Sequence, residues 1–191
     1  MTPRTFAPPK RPQLHIYTGD GKGKTTACIG LAVRALGAGL TVRFIQFDKG
    51  FEGQDEHYSE RHILRGLANL RLDPTGCDRI QPDGHFRFGV TPEDRSEALR
   101  ALALARDALG AGVADVVILD EILSAQQYHL IGEQDILDLI ASWRAEPTCE
   151  LVLSGRTKLA SVIDQADLVT ELRKVKHYFD AGLLARRGID F

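Results

Sequence analysis

Tryptophan and methionine occur once each in this chain of 191 residues, and cysteine three times. Cys28, Cys77 and Cys149 lie far apart with no CxxC pair. Zinc needs ligands grouped in pairs, so no zinc site is expected and the thiols read as small buried or half-buried side chains. The lone Trp143 falls in a predicted helix and reads as packing. An excess of either charge is also missing: the formal net charge is -2, and no global basic footprint points to nucleic acid. No apolar run reaches membrane-spanning length, and the N-terminal stretch has no apolar signal core. A cytoplasmic protein with no membrane and no nucleic-acid partner is the expectation. The six histidines, among them His57, His62, His85, His129 and His177, show neither ligand nor triad spacing.

What is present is alternation. Residues 1–13 (MTPRTFAPPKRPQ) hold four of the eight prolines and read as an extended arm, leaving 14–191 as a single domain. LHIYTG (14–19) reads as a strand, 24–36 as a helix stopped by Gly37-Ala38-Gly39, and TVRFIQF (41–47) as a second strand. A helix follows over 98–110, then the continuous apolar run ADVVILDE (114–121), expected of a central strand covered on both faces. A helix over 133–145, the strand CELVLSG and a final strand DLVTELRKV complete the series. Such alternation predicts an α/β fold, a mainly parallel sheet with helices on both faces. Residues 48–67 and 73–92 resist it; rich in glycine and charge, they read as functional loops at the carboxyl ends of strands, where open α/β sheets bind ligands.

Between the first strand and the first helix stands GDGKGKTT, from Gly19 to Thr26. The common phosphate-loop pattern would put glycine at position 18, where this chain has Thr18, with Gly19 one residue late. Gly19, Gly21 and Gly23 nevertheless let successive N–H groups turn toward an anion. The loop opens into a helix N-terminus with free N–H groups. Lys24 supplies a full charge to phosphates, Thr25 a hydroxyl for Mg²⁺, and Lys22 a second cation, with Asp20 and Thr26 in the same loop. Asp120 and Glu121 end an apolar strand at the same sheet edge, where a carboxylate holds Mg²⁺ directly or through water. Arg156, after LVLSG, emerges at that edge and suits a phosphate oxygen, with a surface arginine nearly as good a reading. Lys49, after FIQFD, is a weaker candidate of the same kind. Together these indicate a P-loop NTPase-like, RecA-like fold class.

Taken with QFDKG, VVILDEI, LSGR and the terminal VKHYFDAGLLARRGIDF, the loop resembles the corrinoid adenosyltransferases of the phosphate-loop type over residues 14–191. These are the enzymes that act on cob(I)alamin or cob(I)yrinic acid a,c-diamide. The resemblance implies transfer of the 5′-deoxyadenosyl group of ATP to cobalt(I) of a reduced corrinoid, with release of triphosphate, in adenosylcobalamin synthesis or salvage. It also implies Mg²⁺ or Mn²⁺, a homodimer, and a reduced flavin or flavoprotein as electron source. The family holds ATP in reversed direction along the loop, with which a departure at Thr18 is compatible. Lys24, Thr25 and Glu121 are then the catalytic candidates. Gly19 to Thr26 and Arg156 bind ATP, and Thr25, Glu121 and Asp120 stand on the metal side.

Family members carry a Gly-Phe-x-Trp element that packs under the corrin. Here GHFRFGVTPEDR offers Phe86 and Phe88 as corrinoid-binding candidates, and Val90 stands where the tryptophan is expected. Two other readings stay open: a kinase or ATPase with a shifted loop, which would release ADP, and a regulatory nucleotide-binding protein that leaves ATP intact.

Overall fold

The computed structural model describes residues 11–50, 56–79, 87, 89–110 and 114–191. Six strands, β1 (Leu14–Thr18), β2 (Val42–Gln46), β3 (Leu70–Pro74), β4 (Val116–Asp120), β5 (Glu150–Ser154) and β6 (Leu168–Glu171), form one sheet in the order β3-β2-β4-β5-β1-β6. Every neighbouring pair is parallel. The helices are α1 (Lys24–Gly37), α2 (Glu60–Leu64), α3 (Pro92–Gly110), α4 (Ile122–Gln127), α5 (Glu133–Ala145) and α6 (Ala160–Ile163), with a 3₁₀ turn at Tyr178–Ala181.

Both faces of the sheet are covered, as the continuous apolar strands require. Leu14, Ile16, Ile45, Val117, Leu119, Leu151 and Leu153 point into a large core with α3, α4 and α5. Val42, Phe44, Val116, Ile118 and Val152 point the other way onto Cys28, Ala32 and Ala35 of α1. Trp143 is in the larger core, its indole N–H donating to Cys149 O at 2.8 Å. Cys28 and Cys149 are buried.

Several elements differ from the sequence pattern, and the short helices α2, α4 and α6 were not anticipated. β3 was not anticipated: Arg71, Asp73 and Pro74 spoil its β signal, but at a sheet edge a charged and proline-ended strand is tolerated. α3 begins at Pro92, six residues before its apolar run. Thr91 and Asp94 cap it reciprocally, Thr91 N donating to Asp94 Oδ2 at 2.8 Å and Asp94 N to Thr91 Oγ1 at 3.3 Å. β6 stops at Glu171 instead of running to 175, because Leu172 turns across the loop that follows β1. Of the expected arm, residues 1–10 lie outside the described residues; Gln13 already docks on β5, its N–H donating to Glu150 at 3.0 Å.

The register brings the functional ends together. Gln46 pairs with Asp120, and Tyr17 with Ser154, so β1, β2, β4 and β5 all terminate at one edge.

Candidate active site

Residues 19–23 leave β1 and enter α1 at Lys24. The Lys24 side chain folds back across the loop, and its ammonium donates to Gly19 O and Gly21 O, each at 2.8 Å. It is only 7% exposed. Burial lowers its pKa from the usual lysine value, while the Glu121 carboxylate works in the opposite direction.

The glycines of this loop answer to a neighbour as much as to an anion. A Cβ on Gly19 would lie 2.3 Å from Leu172 O, and one on Gly21 2.7 Å from the same atom. Gly21 N donates to Leu172 O at 2.7 Å, so this N–H is engaged by the chain itself. The segment beyond β6 therefore lies directly on the loop. Lys174 N donates to Asp20 Oδ1 at 3.0 Å, and this bond chiefly holds the Asp20 carboxyl below its ordinary range. Lys22 reaches out to Ile189 O at 2.5 Å and Asp190 Oδ1 at 3.2 Å. Phe191 stacks on His57 with ring centres 4.2 Å apart, and its carbonyl accepts from Ser59 Oγ at 3.1 Å.

Beside the loop lies a buried polar cluster centred on Asp120, which is 0% exposed. Asp120 Oδ1 accepts from Ser154 Oγ at 2.6 Å and from Thr25 Oγ1 at 3.2 Å. Lys49 donates to Asp120 Oδ2 at 2.7 Å and to Thr25 Oγ1 at 2.6 Å. Burial acts to lower the Lys49 pKa, but the Asp120 and Glu121 carboxylates outweigh it, and the ammonium is held above the ordinary lysine value. Glu121 follows in the left-handed conformation at φ 63°, caps α4, and donates its N–H to Ser154 Oγ at 3.0 Å.

The sequence candidates thus separate. Lys24, Thr25, Asp120 and Glu121 converge on one edge; exposed Arg156 joins them there, its N–H donating to Ser124 Oγ at 2.9 Å. Lys22 and Asp20 face the C-terminal segment, and Thr26 lies exposed on the first turn of α1. Phe86 and Phe88 lie outside the described residues. Ser154, Tyr58 and Arg61 carried no signal in the sequence, and Lys49 only a weak one. Arg61 is fully buried in a region read as irregular. Its guanidinium donates to Gln46 Oε1 at 2.7 Å, to Glu56 Oε1 at 3.0 Å and to Lys49 O, and lies over the Tyr58 ring. Lys49, two residues past the strand read over 41–47, is the one clue to this network in the sequence.

The Thr25 hydroxyl and the Asp120 carboxylate are hard oxygen donors on a common point, the chemistry that suits Mg²⁺. That they already share a cationic partner shows that the spot favours positive charge.

A parallel sheet of this order, with a strand, a glycine-rich loop and a helix at β1 and an acid at the end of β4, has the arrangement of the phosphate-loop NTPases. Within that class the chain belongs to the ATP:corrinoid adenosyltransferase BtuR/CobO/CobP family, whose profile matches residues 10–191. It is 33% identical over 178 residues to the corrinoid adenosyltransferase CobA of Salmonella typhimurium, covering 92% of this chain and 84% of that one. A corrinoid adenosyltransferase of Pseudomonas aeruginosa is 30% identical over 185 residues, covering 95% and 85%.

Proposed function

We propose that the protein transfers the 5′-deoxyadenosyl group of ATP to the cobalt(I) of a reduced corrinoid and releases triphosphate. The observation that carries this reading is the meeting of Lys24 with the Thr25–Asp120 cluster at one sheet edge, in a chain that matches the family almost throughout.

The chemistry asks little of protein side chains beyond charge and alignment. Cobalt(I) carries its own electron pair, which forms the bond to C5′. The bond from C5′ to the triphosphate oxygen breaks, its pair leaves on the triphosphate, and the cobalt becomes formally cobalt(III). No proton has to move, so no general base is needed. What the protein must do is fix the ribose for in-line attack and stabilise negative charge on the leaving group. Lys24, the free N–H groups at the start of α1 and the guanidinium of Arg156 are suited to that. Thr25, Asp120 and Glu121 would hold Mg²⁺ or Mn²⁺, which supplies further neutralisation of the triphosphate when bound.

By the same reading the protein is a homodimer, takes electrons from a reduced flavin or flavoprotein, and works in the cytoplasm, where ATP is plentiful. Phe86 and Phe88 would contact the lower face of the corrin. Phe88→Ala should then slow transfer to base-on cobalamin while ATP affinity stays unchanged.

The deciding experiment is anaerobic: protein, MgATP and chemically reduced cob(I)alamin, followed by absorbance, with phosphates separated by chromatography. Adenosylcobalamin and triphosphate in equal amounts are expected. ADP and phosphate with the corrinoid unchanged would replace this reading by a kinase or ATPase.

A further inference from the structure

The positive charge that bridges Thr25 and Asp120 is a side chain of the protein itself. The Lys49 ammonium has three protons; one goes to Asp120 Oδ2 at 2.7 Å and one to Thr25 Oγ1 at 2.6 Å, with the Tyr58 ring 5.5 Å away. These two oxygens are the ones a divalent ion would need. Two cations cannot share them, because at a separation of a few ångströms in a partly desolvated site their repulsion amounts to several kcal/mol.

The backbone of Lys49 is anchored through both its N–H and its carbonyl. Its N–H donates to Thr75 O at 2.8 Å, and its carbonyl accepts from Arg61, itself gripped by Gln46 and Glu56. What remains free to swing is the four-carbon side chain, with a compact charge at its tip. Lys49 sits 24 residues from Thr25 in sequence and 71 from Asp120, so neither contact is imposed by local chain geometry.

We propose that Lys49 is a built-in counter-ion for the cation position. In the nucleotide-free protein it occupies Thr25 and Asp120 and keeps divalent ions off. When a triphosphate and its cation bind together, the ammonium swings onto a triphosphate oxygen and leaves both side chains to the cation. Lys49 is therefore a triphosphate-binding residue, and divalent ions enter only with the nucleotide. This rests on reading the edge as a nucleotide site, and is independent of which acceptor receives the adenosyl group.

The test uses the full chain, Mn²⁺ as probe, and the resonance of free Mn²⁺ as readout. Nucleotide-free protein should bind Mn²⁺ at least tenfold more weakly than Lys49→Met, and Thr25→Ala in the Lys49→Met background should erase the gain. Tripolyphosphate should restore tight Mn²⁺ binding to the unaltered protein. With Mg²⁺ in excess, Lys49→Met should bind tripolyphosphate at least tenfold more weakly. Equal Mn²⁺ affinity in the two proteins, or unchanged tripolyphosphate affinity, overturns the proposal. Should Lys49→Met not fold, Lys49→Gln and the unaltered protein decide. Mn²⁺ bound tightly without nucleotide, at a site lost in Thr25→Ala, would overturn it. A chain that gives the expected Mn²⁺ pattern but makes no adenosylcobalamin would sink the proposed function and leave this inference standing.

Discussion

The segments after β1 and after β2 each deliver a lysine to the carboxyl edge of the sheet, and they hold it by opposite means. Lys24 is held by carbonyls three and five residues away, within its own loop. Lys49 is held by a threonine from α1 and an aspartate from β4, on a backbone clamped by a buried arginine from α2. The first arrangement is local and belongs to the loop. The second exists only once three distant parts of the chain have met. Removing the first lysine should therefore cost function with little stability, whereas disturbing the second should cost both.

The largest effect is expected for Lys24→Ala: adenosyl transfer should fall on the order of 10³-fold or more, because a charge on the leaving triphosphate is lost. The same variant should keep a melting temperature within a few degrees of the parent. A large drop in melting temperature would erase the contrast between the two lysines. Asp120→Asn should cost stability as well as activity, leaving the part-buried Lys49 ammonium without its counter-charge at about 3–5 kcal/mol. Chemical denaturation of Asp120→Asn, Lys49→Met and the double variant measures the coupling; additive losses would mean that the pair does not act as a unit.

Gly21→Ala is the next smaller perturbation. Its methyl would meet Leu172 O at 2.7 Å, so the loop and the C-terminal segment must separate, at about 1–3 kcal/mol. Faster amide exchange over residues 172–191 would register this, and unchanged exchange would show that the loop yields alone.

The smallest effect is a pH dependence beside the second segment. Asp48 is tied to Arg79 at 2.9 Å, and Arg79 approaches Asp94, which is gripped by Arg87 at 2.7 and 2.9 Å. Chiefly through the Arg87 bonds, the Asp94 carboxyl is held well below the ordinary value of 3.8. A group depressed in the folded state contributes stability that is fully present above the unfolded pKa and is lost as pH falls through the folded one. Melting temperature should thus decline below about pH 4. Arg87→Gln should flatten the Asp94 share of that decline; an identical acid profile would assign the loss to other carboxylates.

The same contrast explains what the sequence disclosed. Gly-Lys-Thr at the start of a helix and an acid ending the apolar run VVILD are signals carried within a dozen residues, and the structure brings both to one edge. Strand alternation gave the sheet, and α5 spans Glu133–Ala145 as its pattern indicates. The Lys49 cluster had no such signal, because Ser154, Thr25 and Asp120 meet only through the pairing of β4 with β5 and the packing of α1. Edge strand β3 escaped because an edge tolerates the charges and proline that a central strand would reject. The role of Leu172 was hidden for a related reason: a carbonyl has no side chain to read, yet it is what leaves no room for a Cβ at Gly19.

The C-terminal cover of the loop also sets an order in time. Lys174 follows Asp20 by 154 positions, and the carbonyl that Lys22 grips comes 167 positions after it. At ~5–20 residues per second a ribosome needs about 8–30 s to make that stretch. β1 emerges before its sheet neighbours β5 and β6 have been made. During synthesis the loop therefore stays uncovered while later strands appear, and it closes only once residues 172–190 have followed them.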